Sequence, residues 1–296
     1  MPLNTRFGIN CSFSMIENIL STEELQEAYY IKWREKYAIA FNKKDNFTNA
    51  LEWDLRCRKA MREIFISATL YVEAKKNLEM KCFSSYYFCL YYSLFHAIYS
   101  CIYLDVESSI DQLTNVTHNN IINIFISAFA NTKKDIFDRD IKSTFEDLRY
   151  KREYYSYSTP FNNIFDYSND LKNLENIIKK SFQLASFHTL IIEKSYDKKI
   201  KSIFNCSNLP ESRILTELFY KLFAKRNKSN IYVLDDSCKN MLYELKRYGL
   251  RPSHIVTDLE HQFDEYHTYD SFYNDDFNEN QLNILDIWAF IYNALI

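Results

Sequence analysis

Between Ser84 and Leu104 the chain reads SSYYFCLYYSLFHAIYSCIYL, a helix-length run that is apolar on nearly every side. A helix without a polar face has nowhere to meet water and belongs at the centre of a bundle. The run is rich in tyrosine and carries His96. A bilayer span of about 20 predominantly apolar residues does not tolerate such a set of polar groups. A buried core helix is therefore expected, and no membrane span. The rest of the chain has to wrap this segment, and 296 residues are enough to do so.

The flanking sequence offers helices for that purpose. Glycine occurs only at Gly8 and Gly249, and proline four times, so few tight turns are encoded. Abundant Lys, Asn, Ile, Phe and Tyr is also what an AT-rich genome writes, so periodicity carries the argument. Ser21-Thr22-Glu23-Glu24 opens a helix reaching about Phe41. A long amphipathic helix follows from Thr48 to Asn77, with Leu51, Leu55, Ala60, Ile64, Ala68 and Tyr71 on one face. Asp105 to Asn120 is polar and reads as a loop or short helix. Further helices are expected over Ile121–Ala130, Ile141–Arg152 and Asp166–Ile192, the last with a stripe of Leu171, Leu174, Ile177, Ile178, Phe182 and Leu184. Asn205 to Pro210 is the best boundary. Beyond it lie a helix at Glu211–Ala224, a short strand candidate at Asn230–Leu234, and a helix at Cys238–Tyr248 with Gly249 as C-cap. Ser253–Tyr266 and Gln281–Ile296 are the last two helices. The expectation is an all-α bundle of residues 48–205, with an N-terminal helical extension, 1–47, and a C-terminal mostly helical segment, 206–296.

Seven cysteines, an odd number with no CxxC pair and no export signal, read as buried thiols of a cytoplasmic protein. Charge is uneven. No lysine or arginine follows Arg251, whereas nine of the 39 acids lie there, so the 36 basic residues outnumber the remaining acids by six. A mildly basic body with an acidic end suggests nucleic-acid contact by the body, or contact between the two parts. His254, Asp258, His261 and Glu265 recur at helical spacing, but without HExxH they read as a solvated polar face, and no metal is expected. Two distant glycines exclude phosphate-binding glycine loops and a GxSxG elbow. No cofactor is expected.

Two segments carry a resemblance. Ala74 and Leu78, followed by Leu90-Tyr91-Tyr92-Ser93-Leu94-Phe95-His96-Ala97, resemble the alanine-leucine helix and A-Y-Y-A-M-F-H-A helix of stand-alone HEPN proteins. Arg152-Glu153-Tyr154-Tyr155-Ser156-Tyr157 resembles their later L-R-x-x-A-D-Y motif in its arginine and final tyrosine. The likeness covers Thr48 to His188, about half of the chain. It implies a helical bundle, often dimeric, in a family rich in RNA-cutting toxins and antiviral defence factors, with a nucleotidyltransferase as a possible separate partner. Nuclease members use an arginine followed four to six residues later by histidine, without a metal. Arginine stabilises the crowded phosphate and histidine moves the proton of the ribose hydroxyl. Here no arginine stands four to six positions before any of the six histidines, and Tyr157 occupies the expected place five after Arg152. Tyrosine ionises only near pH 10, which makes it a poor base.

The resemblance thus implies Arg152, Tyr157 and His96 as catalytic candidates, with Arg149 and Lys151 as RNA contacts. Each has a plainer reading: Arg149 and Arg152 as a surface pair with Glu146 and Glu153, Tyr157 as a packed or capping tyrosine, His96 as a hydrogen-bonded core histidine. Tyr86, Tyr87, Tyr91 and Tyr92 read as core and interface aromatics. The function classes are a metal-independent endoribonuclease acting on RNA, or a non-catalytic HEPN scaffold that dimerises and binds a partner protein. In either, the acidic end, Asp258 to Asp286, is a candidate nucleic-acid mimic on the basic body.

Overall fold

The computed structural model describes residues 3–41, 46–132, 135–158, 165, 167–195, 209–226, 232–248, 252, 254–256, 259 and 284–296. Over these the fold is all-α, as the periodicity implies. The helices are α1 (Leu3–Phe7), α2 (Ser14–Ile19), α3 (Glu23–Phe41), α4 (Asn46–Glu79), α5 (Phe83–Ile102), α6 (Ile110–Thr114), α7 (His118–Phe129), α8 (Ile141–Tyr157), α9 (Tyr167–Ser195), α10 (Leu209–Phe223), α11 (Asp236–Tyr248) and α12 (Ile284–Leu295). Within the strand candidate at Asn230–Leu234, Tyr232–Val233 (β2) pairs antiparallel to Lys225–Arg226 (β1); Asn230 and Ile231 lie outside the described residues. No described helix is long and apolar enough to cross a membrane. Most of the acidic end, and Asp258, His261 and Glu265 of the polar face, lie outside the described residues.

The apolar run becomes α5, and it is central. Tyr86, Tyr87, Leu90, Tyr91, Leu94, Ala97, Ile98 and Ile102 have no exposed surface. Helix α4 lies along it, with α7, α8 and α9 against its other sides. Small residues let α4 and α5 approach closely. Ser67 Oγ donates to the Ser93 carbonyl at 2.7 Å, and Ser93 Oγ returns a bond to the Ser67 carbonyl at 2.8 Å. Both hydroxyls are thereby satisfied where water is absent.

The turn between α4 and α5 is a Schellman closure. Cys82 N–H bonds the Asn77 carbonyl and Lys81 N–H the Leu78 carbonyl. Lys81 therefore adopts φ 58°, a left-handed conformation that a side chain disfavours and glycine accepts. Lys81→Gly is expected to raise stability by about 1 kcal/mol in urea titrations; destabilisation instead would show that the lysine side chain holds the turn.

The sequence stripe on α9 describes only its first half. From Ser181 to Ile192 every residue is buried, because α2, α3 and α12 cover the side that faces away from α5. Gln183 joins both ends of the chain there: its Oε1 accepts from Met15 N–H at 2.9 Å and its Nε2 donates to the Ala294 carbonyl at 3.0 Å. Residues 1–47, 48–205 and 206–296 all contribute to one hydrophobic core.

His188 is the polar centre of the packing between α3 and α9. Tyr37 Oη donates to the Leu104 carbonyl at 2.7 Å, so it accepts from His188 Nδ1–H at 2.8 Å. Nε2 then accepts from Tyr29 Oη at 2.9 Å. The rings of Trp33 and Phe129 meet the imidazole edge-on at 4.5 and 5.0 Å. Burial, with the charges of Lys36 and Lys32, pushes His188 down to about 3. The unfolded chain takes up this proton near pH 6.5 and the folded chain does not, so stability is lost as pH falls below 6.5, at about 1.4 kcal/mol per pH unit. His188→Gln, which keeps a donor and an acceptor, should flatten the dependence of urea-measured stability between pH 6.5 and about pH 5. An unchanged slope would mean that the imidazole is charged in the fold.

Candidate functional site

Helix α8 lays Ile141, Phe145, Leu148 and Tyr155 against the core, and this packing decides where its basic residues go. Lys151 turns toward α9, where its ammonium sits 2.8 Å from both Asp147 and Asp170. It is buried and doubly paired, so it is not an open RNA contact.

Arg152 turns toward α5. Its guanidinium lies 4.8 Å from the centre of the Tyr91 ring and 5.7 Å from that of Tyr92. Nη1 donates to Tyr92 Oη at 3.3 Å and Nη2 to Glu153 Oε1 at 3.1 Å. Arg149, one turn earlier, donates from Nε to the same Glu153 oxygen at 2.9 Å and from Nη1 to Asn119 Oδ1 at 2.5 Å. Hydrogen bonding from Arg149 holds the Glu153 carboxyl below the usual range, and the charge of Arg152 adds to it. The expected pairing with Glu153 is thus present, while both guanidiniums keep donors that reach α5 and α7.

A residue that sequence reasoning passed over completes the group. Helix α7 begins at His118, three residues before the expected start, because Thr117 Oγ1 caps it by accepting from Asn120 N–H. His118 Nδ1 stands 2.7 Å from Tyr91 Oη, and its ring packs against Phe95 at 4.9 Å. Burial lowers the His118 pKa, and repulsion from Arg152 and Arg149 lowers it further, against the pull of Glu153. The imidazole is therefore neutral at pH 7. Burial pushes Tyr91 up to about 12, so its hydroxyl stays a phenol. When Nδ1–H donates to that hydroxyl, Nε2 keeps its lone pair. The cluster is reachable from solvent, since Arg149 and Glu153 are more than a third exposed. Its two guanidinium charges favour an anion over a metal cation.

The structure does not bring His96 or Tyr157 into this group. His96 faces α4, with Nδ1 2.5 Å from Glu63 Oε2, and Lys59 lies 2.8 Å from the other oxygen of Glu63. Burial alone would raise the Glu63 pKa, but Lys59 and His96 outweigh it and hold the carboxyl at about 2. His96 is thus a hydrogen-bonded strut between α4 and α5, with Phe95 between it and His118. Tyr157 is 83% exposed. Five residues after Arg152, it lies about 140° further round α8, and it makes no hydrogen bond or ring contact among the described residues.

Two other places lack this chemistry. Arg247 and His254 have six residues between them, but His254 is buried and bonded through Nε2 to Ser186 Oγ at 2.8 Å. A polar cleft of about 820 Å³ between α6 and α10, lined by Thr114, Asn115, Thr216 and Tyr220, contains none of the clustered side chains. No protein-family model, curated protein or solved structure matches this chain.

The electrostatics of the cluster are open to measurement. In an NMR titration the His118 ring should protonate below the ordinary histidine value of about 6.5. Arg152→Gln should move the midpoint up, and Tyr157→Phe should leave it in place. A midpoint indifferent to Arg152 would separate the two side chains.

Proposed function

We propose that this chain is a HEPN-like RNA-directed protein whose working site is His118 with Arg149 and Arg152, acting as a metal-independent endoribonuclease. The observation that carries this reading is a neutral imidazole placed on a phenol hydroxyl beside two guanidiniums at the protein surface. In this reading His118 Nε2 removes the proton of a ribose 2′-hydroxyl. The freed oxygen attacks the adjacent phosphorus, the bond from phosphorus to the 5′-oxygen breaks, and that oxygen takes a proton from imidazolium or water. Arg149 and Arg152 bind the extra negative charge on the phosphoryl oxygens as it builds. Tyr91 positions the imidazole. A second copy across a dimer interface, or a partner such as a separate nucleotidyltransferase, belongs to the same reading through the likeness of Leu90–Ala97 and Arg152–Tyr157 to HEPN motifs. Setting for the activity is a toxin or antiviral defence system.

One observation favours the scaffold alternative. Glu153 accepts from both arginines, so the isolated site is partly neutralised and suits binding without turnover.

Cleavage of end-labelled RNA separates the two. An endoribonuclease of this kind leaves 2′,3′-cyclic phosphate ends. His118→Ala should reduce the rate by about 10²–10⁴-fold and Arg152→Ala by about 10²–10³-fold, whereas Tyr157→Phe should be neutral. Full activity in His118→Ala would sink the proposal. RNA that is bound and never cut, with binding lost in Arg152→Ala, would establish the scaffold.

A further inference from the structure

The arginine–histidine group adjoins an aromatic stripe in which Tyr92 and Phe95 pack against the core and Phe88 reaches solvent. Phe88, Tyr92 and Phe95 fall on one face of α5 at helical spacing. Phe88 is 47% exposed, in contrast to the fully buried Tyr86, Tyr87 and Tyr91 around it. Its ring centre lies 4.7 Å from that of Tyr92, which is 6.0 Å from Phe95, which in turn is 4.9 Å from His118. Arg152 Nη1 is bonded to Tyr92 Oη, the rung next to Phe88. The half-exposed Phe88 ring thus packs on Tyr92, whose ring the Arg152 guanidinium also contacts.

We infer that Phe88, backed by Tyr92, is a stacking shelf for an unpaired base, so that the substrate class is single-stranded RNA rather than duplex. The inference rests on the RNA-directed reading of the site and narrows it. Base-on-aromatic stacking tolerates any sequence and needs only an accessible ring next to a cationic track. Duplex RNA keeps its base faces inside the stack, and its deep, narrow major groove does not admit side chains. A protein partner fits the patch less well. One half-exposed phenylalanine falls far short of the roughly 800 Å² per side that stable protein interfaces bury, and the adjacent arginines match a phosphate.

Fluorescence anisotropy on the full chain, in a His118→Ala background that prevents turnover, tests this. The probes are a short labelled single-stranded RNA, the same strand with one abasic position, and its duplex. Phe88→Ala is expected to weaken single-strand binding by roughly 10- to 100-fold, and Phe88→Trp to restore it. Exposure of Phe88 makes folding of these variants straightforward to check by circular dichroism. The abasic strand should bind the parent weakly and lose nothing more in Phe88→Ala. If Phe88→Ala binds like its parent, or the duplex binds as tightly as the single strand, the shelf is overturned. When Arg152→Ala still weakens binding in that case, the RNA reading survives without it. Absence of binding by every RNA overturns both.

Discussion

One buried guanidinium holds the exit from the central helix. Arg56 on α4 donates from Nη1 to the carbonyls of Tyr103 and Asp105 and from Nη2 to that of Ser108, and it pairs with Glu52 at 2.8 Å. Carbonyls past the end of a helix have no partner within it, and inside a protein they need one. By collecting three of them Arg56 fixes the path of the chain after α5. Ser109 then caps α6 with a capping box, and Thr117 caps α7. This succession returns the chain over α5 and sets His118 on Tyr91. Such a buried ion pair is weak evidence of stability, because two charges must leave water. Its role here is geometric, since without it the loop that carries His118 has no fixed origin.

The two histidines of the α5 neighbourhood show how environment separates roles. His96 and His118 both touch Phe95. One is matched to a buried carboxylate that already serves Lys59; the other has a phenol on one nitrogen and cations nearby. The first arrangement ties helices together. The second keeps an uncharged nitrogen beside a site suited to negative charge, a combination useful to proton transfer at phosphate.

Much of this architecture was legible in the residues. All-round apolarity placed α5 at the centre, and periodicity located α3, α4, α8 and α10 within a few residues. Two shortfalls have different causes, tertiary surroundings in one and unread local caps in the other. The second half of α9 is covered on every side by α2, α3 and α12, whose positions no periodicity encodes. His118 was hidden because Asp105–Asn120 read as a loop or short helix, and the caps Ser109 and Thr117 that start α6 and α7 were not recognised. Resemblance to HEPN motifs pointed to His96 through Leu90–Ala97 and to Tyr157 through its place five residues after Arg152. The histidine whose pKa Arg152 lowers, His118, comes from a different helix and has no spacing signature. For Lys151 the sequence showed one counter-charge, Asp147 four residues earlier, but not the second, Asp170 on α9, that closes it off.

The His188 cage also has a consequence in time. Tyr37 and Tyr29 are separated from their imidazole by 151 and 159 residues. At ribosomal speeds of about 5–20 residues per second, α3 leaves the ribosome roughly 8–30 s before α9 can receive it. Trp53 and Phe129 can cover parts of Tyr37 and Trp33 earlier, but the side of Tyr29, Trp33 and Tyr37 that meets His188 stays open until α9 arrives. Helix α3 thus completes its packing only after α9 follows it, and the newborn chain must be kept from association until then.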